Sequence, residues 1–206
     1  MSKPPKPFVY LLPFSPQKPH RAAVSKSITE VVLGRKVADF YGLSFSMNKG
    51  DTVYAARRGM VSQTVGNIDK YNDNVWFSSE TNFIEIFHQD GSFMRYNRLK
   101  KGALLVKEGD EVEAGQPIGI VADDAFEGST VVQLTAYYLS KANAFSDTNH
   151  SFTYFAPTFY TQETPEGTLM QSLTFYTSAW PERIITQEMP KRVLKKWKTA
   201  YSGKQE

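Results

Sequence analysis

Residues 103–121, ALLVKEGDEVEAGQPIGIV, constrain the fold more than any other part of the chain. They read as strand, tight turn, strand, with corners at Gly109-Asp110 and Ala114-Gly115-Gln116. Leu105, Val112, Ile118 and Ile120 are the expected inward positions, while Lys107, Glu108, Glu111 and Glu113 keep the turns in water. A glycine at each corner permits a positive φ that a β-branched residue resists. Short strands broken by such corners belong to a small β-sandwich or barrel. The run predicts a fold class and, by itself, no chemistry.

The flanking sequence repeats the pattern. Residues 40–47 read as a strand before the turn Asn48-Lys49-Gly50-Asp51, and two more follow over 52–56 and 59–65, broken at Arg57-Arg58-Gly59. Residues 66–82 are polar and turn-rich, and predict a long surface loop. A hairpin comes next, 83–88 and 93–99 around Gln89-Asp90-Gly91-Ser92, for which Asp-Gly predicts a type I′ turn. Residues 128–139 predict a further strand, and the aromatic, threonine-rich stretch after 149 two or three short ones. From Pro190, the residues Val193, Leu194, Trp197, Ala200 and Tyr201 recur at helical spacing, with Gly203 as the stop.

Six of the eleven prolines lie in residues 1–21, which predicts an extended, polyproline-like arm with residues 8–14 able to lie on the body. The organisation expected is a basic arm over 1–29, a β domain over 30–145, and a β extension with its terminal helix over 146–206. A net charge of +3 conceals a segregation. Residues 1–29 carry five Lys/Arg and no acid, and residues 189–206 carry six against one acid, Glu206. The intervening 13 basic and 20 acidic residues give a body of formal charge −7. The arms are expected to pack across that body, the alternative being contact with an anionic polymer or lipid. No aromatic-basic stripe points to nucleic acid. There is no cysteine and no apolar run long enough for a membrane span.

Residues 42–138 resemble the LytM-type (M23) metallopeptidases of bacterial cell walls. The resemblance is carried by Gly50-Asp51-Thr52-Val53-Tyr54-Ala55-Ala56 with Gly59-Met60-Val61, by Tyr96-Asn97-Arg98-Leu99, and by residues 107–121, all in the family's order. It implies an all-β, mainly antiparallel sandwich or barrel-like fold, the duplicated hybrid motif, with an open groove and, in active members, one zinc on its floor. To this the chain adds its C-terminal amphipathic helix.

The resemblance also implies that the zinc ligands are gone. The family's Asp position falls at Ser44, and its upstream His at Phe40 or, with another gap, Arg35. Arg98 stands for the His of the Tyr-x-His-Leu segment, and Gln133 and Thr135 stand for the late His-x-His pair. A catalytic zinc needs about three N, O or S donors with a fourth position open to water. Hydroxyls are poor donors at neutral pH, and a guanidinium repels a cation. The three histidines, His20, His88 and His150, are scattered and read as surface or structural residues. No Gly-x-Ser-x-Gly and no phosphate-cradling glycine loop occurs, and the paired acids Asp110-Glu111 and Asp123-Asp124 read as solvated turns.

The expected product is a catalytically inactive M23-like domain without cofactor, a binding or regulatory module at the bacterial cell envelope. Ser44, Tyr96, Arg98, Gln133 and Thr135 would line its degenerate groove, and the partner would be a peptidoglycan peptide or a cell-wall hydrolase. Arg98 could then pair with a carboxylate, and Arg98→Ala is expected to leave folding nearly intact. Periplasmic or extracellular placement would follow if a leader has been removed. The alternative is an active metallo-endopeptidase of peptidoglycan using unusual ligands such as Asp39, Asp51 or His88. A biotinyl or lipoyl carrier is excluded, because Gly59 and Gly109 are too far apart in sequence and no lysine stands between small or methionine residues at a hairpin tip.

Overall fold

The computed structural model describes residues 8–16, 18–26, 28–30, 35–37, 40–69, 81–123, 130–140 and 151–202. In chain order the strands begin with β1 (Val9–Leu11), β2 (Pro19–Ser25), β3 (Ile28–Glu30), β4 (Arg35–Val37) and β5 (Gly42–Ser46). Next come β6 (Thr52–Tyr54), β7 (Gly59–Val65), β8 (Phe83–Phe87), β9 (Ser92–Asn97) and β10 (Leu99–Leu104). The last strands are β11 (Glu111–Val112), β12 (Pro117–Val121), β13 (Val131–Ser140), β14 (Ser151–Tyr154), β15 (Thr158–Tyr160) and β16 (Phe175–Thr177). Two helices close the chain, α1 (Glu182–Ile185) and α2 (Lys191–Ser202). The fold is all-β and mainly antiparallel, with a C-terminal amphipathic helix.

The main sheet runs β11-β7-β8-β9-β13-β5-β2-β16, with β14 also on β13. A three-stranded sheet, β10-β12-β6, packs with it, and β1 pairs in parallel with β15. Strands from all three sequence segments therefore share hydrogen bonds. The core fills with alternate residues of these strands: Leu43 and Phe45, Ile84 and Ile86, Met94 and Tyr96, Val132, Leu134 and Ala136. Residues 103–121 behave largely as their pattern dictates. Gly109 and Gly115 turn the corners at φ 86° and 82°, and Val112 and Ile118 are fully buried. Leu105 departs from expectation, being 55% exposed, and Val121 takes a buried place where Ile120 is only half-buried.

Three local expectations change. Residues 8–25 hold two strands instead of a polyproline arm, because the run Tyr10, Leu11, Leu12 and Phe14 is buried in the core. Pro19 is accommodated as the first residue of β2, where a missing N–H costs little. In the β8–β9 hairpin the His88 carbonyl accepts from Gly91 N–H at 3.0 Å, and only Gly91 has positive φ, at 86°. That is a type I turn with a glycine bulge, not type I′. Asp90 selects it by accepting hydrogen bonds from the Ser92 amide and hydroxyl. In the predicted loop, Asn82 is fully buried and bonds Ile68 and the Leu99 carbonyl. The expected stop at Gly203 and most of the loop's tip, residues 70–80, lie outside the described residues.

Candidate functional site

Cross-strand register brings the expected positions together. Gln133 on β13 lies directly between Ser44 on β5 and Asn97 on β9, and Phe83 on β8 continues the row. One step along β13, Thr135 lies between Gly42 and Arg95, followed by Glu85 on β8 and Gln63 on β7. A third row is aromatic: Tyr154, Tyr137, Phe93 and Phe87. Strand alternation puts these three rows on one face and Leu134, Tyr96 and Ile84 on the other.

Tyr96 is therefore not a neighbour of Ser44, Gln133 and Thr135. Its hydroxyl accepts the Ala56 N–H at 2.7 Å inside the core, and burial raises its pKa. Residues 96 and 98 have the same parity, so a continuous strand would put them on one face. The strand ends first, because Arg98 adopts a left-handed φ of 65° while its carbonyl accepts from Ala122 N–H.

The expected groove positions are closed to solvent. Ser44 is 3% exposed, Arg98 1%, Gln133 1% and Thr135 6%. Ser44 Oγ and Gln133 Nε2 are buried with no hydrogen-bond partner among the described residues, an uncommon state for polar atoms. Beside them a second cluster is fully consumed by itself. The Glu85 carboxylate accepts from Ser62 Oγ at 2.9 Å, from Arg95 Nε at 3.2 Å and from the Tyr137 hydroxyl. Burial and then Glu85 raise the Tyr137 pKa. The Arg95 guanidinium also lies 4.0 Å from the Phe83 ring centre. A carboxylate so engaged offers no free base. The hairpin register, which sets Glu85 opposite Arg95 within apolar runs, was the signal for this pair.

The break at Arg57-Arg58-Gly59 hides the strongest electrostatic feature. Arg57 is fully buried, with Nε and Nη2 on the Glu188 carboxylate at 2.5 and 2.6 Å and Nη1 on Asp90 at 3.0 Å. Nη1 also reaches the Tyr10 hydroxyl at 3.0 Å, and the Phe8 ring lies beneath the guanidinium. Burial opposes the charge on Arg57, but Glu188, Tyr10 and Asp90 outweigh it and raise its pKa. Burial likewise pushes the Asp90 pKa up, but the Ser92 hydroxyl and Arg57 outweigh it and leave the carboxyl below its ordinary range. Three segments far from it and from one another in sequence meet on this one cation, a coincidence with no local signature.

The two described histidines are structural. His88 is sealed between the Arg58 carbonyl and the edge of the Tyr10 ring, and His20 is buried with Nδ1 2.6 Å from the Ser46 carbonyl. Asp51 caps Asn48 through its backbone N–H and side-chain amide, while Asp39 and His150 lie outside the described residues. Among the described residues no three His, Cys, Asp or Glu side chains gather where they could hold one metal ion. The family's zinc does not fit the side chains at its positions. A neutral hydroxyl at Ser44 or Thr135, an amide at Gln133 and a cation at Arg98 supply neither the donors nor the charge.

Residues 39–143 match the profile of peptidase family M23. The chain belongs to that family. No curated protein matches it. Among solved structures, this M23 chain is similar to a zinc-containing peptidase from Vibrio cholerae, with TM-score 0.44 and 21% identity over 64% of this chain and 37% of that one. It is also similar to the catalytic domain of lysostaphin from Staphylococcus simulans, with TM-score 0.44 and 21% identity over 66% and 87%. A chain of the SpoIIQ–SpoIIIAH pore-forming complex gives 0.43 and 16% over 65% and 85%. The M23 chain spans 37% of the Vibrio peptidase and 48% of the lysostaphin solution structure.

Proposed function

We propose that this M23 chain is a catalytically inactive binding or regulatory module at the bacterial cell envelope, acting on a peptidoglycan peptide or a cell-wall hydrolase. One observation carries the reading. At the positions where the family supplies ligands, the sheet holds Ser44, Gln133 and Thr135 buried in their rows and Arg98 buried just beyond, none a zinc donor at neutral pH. The family's motif order and its all-β fold are present, while the donor set is not. With the four positions buried, binding falls to the exposed rim and not to the floor of the sheet.

The full chain, purified and incubated with zinc, is expected to hold substoichiometric metal and to leave glycyl-glycine peptides and purified peptidoglycan uncleaved. It is expected to co-sediment with peptidoglycan or to change the rate of an added wall hydrolase. Stoichiometric zinc together with chelator-sensitive cleavage would establish the other reading, an endopeptidase with unusual ligands.

A further inference from the structure

The outer edge of the main sheet carries a strained, solvent-facing leucine. Leu173 N–H donates to the Ala22 carbonyl at 2.9 Å, and Ala22 N–H donates to Thr174 O at 2.8 Å, so two residues of one strand oppose one of β2. The first residue of such a bulge is ordinarily glycine. Here it is Leu173 at φ 65°, a conformation disfavoured for an L side chain by on the order of tenfold. Packing does not compensate, since Leu173 is 75% exposed. Phe175, two residues on, is 60% exposed, and Leu169 in the same loop is 51% exposed. The side chain contributes no packing that offsets this strain, so the segment presents an apolar surface to whatever meets the edge.

The charge beside it says what. Arg21 is the direct cross-strand neighbour of Phe175, and Lys18 and Lys26 flank β2. All three are exposed and have no ion pair among the described residues. β2 is hydrogen-bonded into the body through β5, yet these three cations stay in solvent. Glu163, the acid on this edge, has its carboxylate on the Thr177 amide. Gln162 N–H takes the Thr177 carbonyl, so the outward hydrogen bonds of the edge are closed there, and the bulge interrupts them at Leu173. An added β-strand is therefore a poor occupant. Protruding apolar side chains with Arg21 beside them, and Lys18 and Lys26 at the two ends of the same strand, match the interface of a bilayer, where acyl chains receive the former and lipid phosphates the latter. We propose that the loop carrying Leu169, Leu173 and Phe175, together with Arg21, Lys18 and Lys26, docks this chain on an anionic lipid bilayer.

The test is co-sedimentation of the full chain with vesicles of phosphatidylcholine alone or with phosphatidylglycerol added. Binding is expected only to the anionic vesicles and is expected to weaken with salt. Leu173→Gly removes the wedge and relieves the backbone. It is expected to lower vesicle affinity about tenfold or more without lowering the thermal midpoint. Arg21→Gln is expected to lower affinity about fivefold. Absence of binding to anionic vesicles, equal binding to neutral ones, or wild-type binding by a folded Leu173→Gly variant would overturn the proposal. So would self-association of the chain that Leu173→Gly abolishes while vesicles stay unbound.

Discussion

His88 is expected to make the fold acid-sensitive well above the carboxylate range. Its ring is completely buried, and Nδ1 lies 2.8 Å from the Arg58 carbonyl, so Nδ1 carries the hydrogen and donates it. Nε2 is then the site a second proton must take, and it is buried without an acceptor among the described residues. Burial, followed by the positive charge of Arg57, lowers the pKa from 6.5 to about 3. The folded chain therefore prefers the neutral ring, and this contribution is complete above the unfolded value. It is lost as pH falls from about 6.5 toward about 3, where the unfolded chain takes a proton the folded one refuses. At about 1.4 kcal/mol per pH unit, the loss between about pH 7 and about pH 4.5 is about 2.5 kcal/mol. It requires only that the folded pKa lie below the lower pH. Urea unfolding at both pH values, on the wild type and on His88→Asn, isolates it. Asparagine keeps an N–H for Arg58 and does not titrate, and carboxylates common to both chains cancel. The wild type should lose about 2.5 kcal/mol more than the variant. Equal losses would refute the buried, singly protonated imidazole.

Arg57→Met leaves Asp90 and Glu188 buried without their cation and should cost about 3–5 kcal/mol in urea unfolding. Adding Asp90→Asn and Glu188→Gln should recover part of that. Gly59→Ala would set a Cβ 2.4 Å from the Phe87 carbonyl oxygen and 2.5 Å from Ile86 Cγ2. Backbone cannot yield as a side-chain tip does, so a loss of about 1–3 kcal/mol is expected from the thermal midpoint. Arg98→Ala, expected from sequence to spare the fold, should instead destabilise it by about 2–3 kcal/mol, because the side chain is buried and not groove-lining; an unchanged unfolding midpoint would return Arg98 to the surface.

Much of the architecture was legible because it rests on local rules. The glycine corners at 109 and 115, the β8–β9 hairpin and the helix after Pro190 each follow from a few adjacent residues. The hairpin's turn type was misread because Asp90 bonds Ser92 and Arg57 as well as shaping its own turn. Residues 8–25 were misread because proline content outweighed an apolar run whose burial depends on strands far along the chain. Tyr96 was placed with Arg98 because both belong to the Tyr-x-His-Leu segment of the resemblance, and the left-handed turn at Arg98 that separates them was not visible beforehand.

The amino-acid sequence by itself determined the M23 scaffold and the loss of its ligand residues, since motif order and donor chemistry are properties of residue types. Only the tertiary structure decided what those positions became. Burial and cross-strand register turned Ser44, Gln133 and Thr135 into enclosed rows and sent Tyr96 to the opposite face. They joined Tyr10, Arg57, Asp90 and Glu188 on one buried charge, and left Leu173 strained in water. Desolvation and strain depend on what surrounds an atom in three dimensions, and that surrounding is assembled from residues more than a hundred positions apart.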